Sequence, residues 1–183
     1  MYAFVVLLLA ALSRFLPFVM PHGVGLNINA VGAGLLLFGS RRPRWQALVA
    51  MAVMALTDVV LTVAFYHSSF HVGGYLIKWA WWGALCLISS GLLRKVTVLR
   101  VIAGIFTSAI GFFVVVDFGL WAFSSMYPHT LAGLGACYAA AVPFLWNDLA
   151  STAAFSAAFF GLPVLAEKLV QMMHHARSRQ PLG

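Results

Sequence analysis

With 183 residues, 63% of them hydrophobic and only 8% charged, and a mean hydropathy of +0.97, the chain has too little polar surface to cover a soluble globule. Its length fits six spans of about 20 residues with short connections in one domain and leaves no room for a soluble catalytic domain. The formal net charge of +7 would suggest nucleic acid in a soluble protein. Here the basic residues sit in short loops where membrane topology explains them, so the expected surrounding is a lipid bilayer and no nucleic-acid partner is expected.

Nine of the eleven Lys and Arg fall in three clusters: Arg41/Arg42/Arg44, Arg94/Lys95/Arg100 and Lys168/Arg177/Arg179. Basic loops stay on the cytoplasmic side of a bilayer, and these clusters occupy alternate gaps between apolar runs. The pattern predicts an all-α, multi-pass protein of six transmembrane helices, with both termini cytoplasmic.

Helix one is expected over residues 2–16, ended by Pro17 and Pro21. Its late Arg14 and the lack of a basic leader fit a first span better than a signal peptide. Residues 17–29 form an outer loop. Helix two, 30–39, is too short to span alone unless part of that loop dips into the membrane. Helix three covers 45–66, followed by a small outer loop over 67–74 with His67 and His71.

Helix four runs over 75–93 and helix five over 98–118, with Asp117 in its apolar register. Residues 130–142, rich in Ala and Gly and bounded by Pro128 and Pro143, suit a short interfacial helix. Asn147 and Asp148 then cap helix six, 148–170, which Pro163 should kink. Its small-residue rows, Ala150/Ala154/Ala158 and Ala153/Ala157/Gly161, allow close helix packing, within the bundle or against a partner.

Under this topology the outer half collects the unusual residues: His22, Asn27, Asn29, His67, His71 and Lys78, then Asp117, Tyr127, His129, Asn147 and Asp148. Polar groups at membrane depth are costly, so such a concentration points to a wet cavity or a substrate site, while any single one could be a loop residue facing water. His71, Tyr75, Trp79, Trp82 and Cys86 follow spacings of four, four, three and four, and so share one helical face. That stripe reads either as one wall of a pocket for a large planar ligand or as an ordinary interfacial belt of aromatic residues.

Arg14, Asp58 and Asp117 are charges in or near spans, for which pairing within the bundle is the economical expectation. Cys86 and Cys137, the only cysteines, fit neither a CxxC redox pair nor a zinc pattern. No nucleotide-binding loop, nucleophile elbow or HExxH is present.

The segments SRFLP at 13–17, NAVGAGLLLFG at 29–39, and the run from Phe112 through DFGLWAFSSMYPHTLAGLGACYAAAVPF resemble a family of small bacterial membrane proteins. That family is related to the substrate-binding S-components of energy-coupling-factor vitamin transporters, closest to the BtuM-type cobalamin transporters. The resemblance implies a bacterial inner-membrane protein that binds cobalamin from outside, as substrate and not as a permanent cofactor. Residues His22, Asn27, Asn29, His67, His71 and Tyr75, with Trp79, Trp82, Tyr127, His129 and Cys137, would then contact the substrate.

In BtuM-type proteins a cysteine thiolate is thought to coordinate the corrin cobalt and assist removal of cyanide, a soft ligand on a fitting metal. The resemblance therefore gives Cys86 the role of cobalt ligand and decyanating thiolate, with Cys137 in reserve. Many S-components dock on a shared transmembrane partner through an AxxxA pattern in helix one; here Ala10 and Ala11 are followed four residues later by Arg14 and Phe15. A solitary transporter fits that departure better than one needing an energy-coupling module. The alternatives are an S-component-like transporter for another small vitamin, and a membrane metal- or haem-binding redox protein using His67, His71 or His129. A helper subunit without a ligand would draw only on the small-residue face of helix six.

Overall fold

The computed structural model describes residues 1–19, 28–67, 70 and 72–178; for residues 19 and 174–178 it describes the backbone alone. Among the described residues the protein is all-helical. The helices are α1 (Tyr2–Ser13), α2 (Leu16–Val19), α3 (Val31–Arg41), α4 (Ala47–Val60), α5 (Leu76–Leu92), α6 (Val98–Phe123) and α7 (Leu131–Ser178). One 3-10 turn, Arg44–Gln46, leads into α4, and a π-helical turn, Leu61–Phe65, ends it.

Three helical stretches are long and apolar enough to cross a membrane: Arg44–Phe65, Val98–Phe123 and Leu131–Met173. Shorter apolar helices cover Tyr2–Phe18, Val31–Arg41 and Leu76–Leu92. Large side chains such as Leu8, Leu48, Leu56, Leu99, Phe106 and Leu165 face outward. An outer surface of that kind is stable in lipid and not in water, so this is a helical membrane protein.

At the centre stands α3, which touches α1, α4, α5, α6 and α7. Every residue from Val31 to Gly39 is buried. The packing depends on its glycines. A Cβ on Gly39 would clash with the Cys86 carbonyl oxygen of α5, and one on Gly34 would clash with the Ala10 Cβ of α1. Helices in an apolar medium gain no hydrophobic attraction for each other, so this close approach supplies their cohesion. An α-helix of 11 residues is only about 16 Å long at ~1.5 Å per residue. Space is therefore left at the N-terminal end of α3, between the longer helices.

The chain departs from its sequence expectations mainly around proline. Helix one stops at Ser13, and a separate short turn, Leu16–Val19, includes Pro17. The interfacial helix expected over 130–142 and the sixth helix expected over 148–170 are one continuous helix that runs through Pro143 and Pro163. Proline removes a single donor from a helix, whereas a full break inside an apolar bundle would strip several backbone groups of partners. Asn147 and Asp148 consequently lie mid-helix and cap nothing. Helix α6 extends to Phe123, beyond the expected end at 118, and the Trp121 indole donates to the Pro128 carbonyl at 2.9 Å to close the turn that follows.

Candidate functional site

The space at the start of α3 is a cavity of about 290 Å³. From α3 and the residues before it come Asn29, Val31 and Gly32; from α1 and α5 come Arg14, Lys78, Trp81 and Trp82. Helix α6 adds Ser108, Phe112, Phe113 and Asp117, and α7 adds Ala141, Phe144 and Asp148. Aromatic rings thus surround four charged side chains.

On the α1/α5 side the charges are tied together through α4. Asp58 is 2% exposed and accepts from the Arg14 guanidinium, from Lys78 Nζ at 2.8 Å and from the Trp79 indole at 2.7 Å. Arg14 also donates to Thr57 and to the Met54 carbonyl, and its guanidinium lies 5.1 Å from the Trp82 ring centroid. Lys78 sits between the rings of Tyr75 and Trp82, at 4.4 and 5.3 Å. One carboxylate facing two cations leaves this cluster with a formal charge of +1, held by partners on every side.

The α6/α7 side is different. Neither Asp117 nor Asp148 forms an ion pair among the described residues. The Asp148 carboxylate accepts one long hydrogen bond, from Thr152 at 3.4 Å. The Ser108 residue is only 3% exposed, yet its hydroxyl has no hydrogen-bond partner among the described residues, and it lines the cavity. The Trp81 indole N–H is likewise buried and unbonded. Buried polar groups in folded proteins are almost always satisfied, so groups of this kind beside a cavity are met by water or by a bound solute.

Of the residues expected to touch a substrate, Asn29 and Trp82 line the cavity. Asn29 Oδ1 accepts the Val31 N–H at 3.0 Å, which fixes the start of α3. Trp79 reaches Asp58 instead, and Tyr75 bonds Thr62 at 2.7 Å and stacks on Phe70 and Trp79. The Cys86 thiol is 2% exposed, points to the Leu35 carbonyl at 3.7 Å and does not line the cavity. Cys137 is equally buried on α7, its thiol 3.5 Å from the Asp117 carbonyl.

His67 is exposed, with a positive φ of 48°. Tyr127 is half-buried in the turn before α7, and His129 is exposed, its ring 3.2 Å from the Ser124 carbonyl. Neither lines the cavity. His22, Asn27 and His71 lie outside the described residues. Among the described residues no group of three or more His, Cys, Asp or Glu is placed to hold a metal ion.

Residues 1–174 match a family of unknown function, DUF6580. The chain belongs to the DUF6580 family. No curated protein and no solved structure matches it. For this DUF6580 protein the cavity therefore carries the functional argument. Its lining was partly visible in the sequence, where Lys78, Asp117 and Asp148 stood out as polar residues of the outer half. Trp81 and Ser108 carried no such signal, because only packing of α5 on α6 decides which of their faces meets the cavity.

Proposed function

We propose that this protein takes up a small, vitamin-sized solute across the bacterial cytoplasmic membrane and binds it in the cavity at the start of α3. In this reading the six longer helices all enter the bilayer, the three basic clusters and both termini are cytoplasmic, and the protein works without an energy-coupling module. The observation that carries the proposal is the cavity itself: polar groups without partners among the described residues, aromatic walls, and a half-length helix ending inside the bundle. Discontinuous helices that start at membrane depth recur at the substrate sites of transporters. The Arg41/Arg42 end of α3 is the end away from the cavity, so the positive-inside rule puts the cavity toward the outer face.

The volume of about 290 Å³ sits at the lower edge of the ~300–1,000 Å³ usual for small-molecule sites. This favours a small heterocycle over a corrinoid. The corrinoid version needs a wider cavity, and for decyanation it needs the Cys86 thiol freed from its contact with α3. Thermal unfolding of the purified protein against a panel of vitamins separates the two, since a ligand bound only by the folded state raises the apparent stability. A small vitamin should raise Tm, and Ala141→Phe, which fills the cavity from α7, should abolish that rise while leaving the ligand-free Tm nearly unchanged. A corrinoid absorption spectrum in protein purified after growth with cobalamin, altered in Cys86→Ser or Cys137→Ser, would instead support thiolate ligation.

A further inference from the structure

The charges around the cavity are unequal in a way that specifies the guest. Arg14 and Lys78 are already engaged by Asp58, whereas Asp117 on α6 and Asp148 on α7 have no cationic partner among the described residues. Two uncompensated carboxylates beside an apolar bundle interior are costly, and the economical remedy is a cation brought to that side of the cavity. Aromatic faces from Trp81, Trp82, Phe112, Phe113 and Phe144 complete the enclosure. Rings of this kind attract an organic cation through their negative faces and bury its flat body as well.

The Ser108 hydroxyl is an independent observation. At 3% exposure, on the cavity wall and without a partner among the described residues, it would complete its hydrogen bonding with a ligand atom or a water. The Trp81 indole N–H, a donor only, needs an acceptor. An acceptor on a guest would suit the α5 side, near the cations and the positive end of the α3 dipole, and a donor the α6 and α7 side.

We propose that the solute is a small aromatic or heterocyclic amine, bound with its protonated nitrogen on the side of the cavity that carries Asp117 and Asp148 and its ring against the tryptophan and phenylalanine walls. This inference rests on the cavity being the solute site. Its test uses the full-length purified protein and two pools of water-soluble heterocycles matched in size, one amine-bearing and one amine-free, scored by thermal shift and then by Kd. Each is run on wild type, Asp117→Asn and Asp148→Asn. Binders should come from the amine-bearing pool and weaken about tenfold or more in the Asn variants, the expected loss of a charge-assisted hydrogen bond.

The Asp117 carboxylate has no hydrogen-bonding partner among the described residues, so Asp117→Asn should fold at least as well as wild type and keeps the test informative. Binders found only in the amine-free pool, or amines that bind both variants as tightly as wild type, would overturn the amine assignment and leave the solute-uptake reading standing. No binder in either pool, and no small molecule released from freshly purified protein on denaturation, would overturn both.

Discussion

Two sides of one cavity handle their charges in opposite ways. Where α1, α4 and α5 meet, Asp58 is surrounded by Arg14, Lys78 and the Trp79 indole, and each of these donors reaches its acceptor. Where α6 meets α7, among the described residues Asp117 and Asp148 face the cavity without a cation and Ser108 faces it without a partner. A closed network fixes the relative position of helices, and an open one is held in reserve for something that arrives later. Under the proposed function, the first side is structural and the second recognises the solute.

The sharpest way to break that assignment is to remove the hub. Asp58→Asn strands two cations in the bundle, and breaking a buried pair by deleting one partner costs about 3–5 kcal/mol. Thermal unfolding in detergent should show a large fall in Tm, with much of the protein lost during purification. Stability close to wild type would mean that the cluster is solvated and not structural. Next in size is Trp79→Phe, which keeps the ring on Tyr75 but deletes the indole donor to Asp58. A hydrogen bond to a charged group contributes about 1.5–3 kcal/mol, so the same measurement should show a smaller, clear loss.

Much of the closed side was legible in the sequence. Arg14 and Asp58 stood out as charges within apolar runs that needed pairing, and the hydropathy pattern located α3 and α5 to within two residues of their ends. The four-residue spacing of Tyr75 and Trp79 correctly put them on one face. It could not say that Trp79 meets a carboxylate from α4, or that Cys86 lies one helix layer deeper against Leu35 of α3. Side-chain spacing fixes a face; only the neighbouring helix decides what that face meets. Prolines misled in the other direction, because Pro143 and Pro163 would end a helix in water but are carried through α7.

The open side makes the opposite stability prediction. Replacing Asp117 by Asn removes a charge that the ligand-free protein must hold without a partner, so the variant should be as stable as wild type or more stable, by about 1 kcal/mol. That gain should come with the loss of amine binding. A destabilised Asp117→Asn would show that the carboxylate has a structural partner and would move α6 to the closed class.

The finest test uses two serines that burial alone cannot tell apart. Ser89 on α5 is 0% exposed and Ser108 on α6 is 3% exposed. The Ser89 hydroxyl donates to the Leu36 carbonyl of α3, whereas that of Ser108 has no partner among the described residues. Hydrogen bonds between membrane helices contribute about 0.6 kcal/mol on average, so Ser89→Ala should cost about that much and Ser108→Ala almost nothing in the ligand-free protein. With a bound solute the order should reverse, because Ser108→Ala then removes a contact to the guest while the cost of Ser89→Ala is unchanged. The comparison needs only relative Tm values of two variants of the same size and chemistry, which cancels the detergent and the reference state. If the two serines behave alike with and without ligand, the open hydroxyl has no role in recognition and the distinction between the two sides of the cavity fails at its most controlled point.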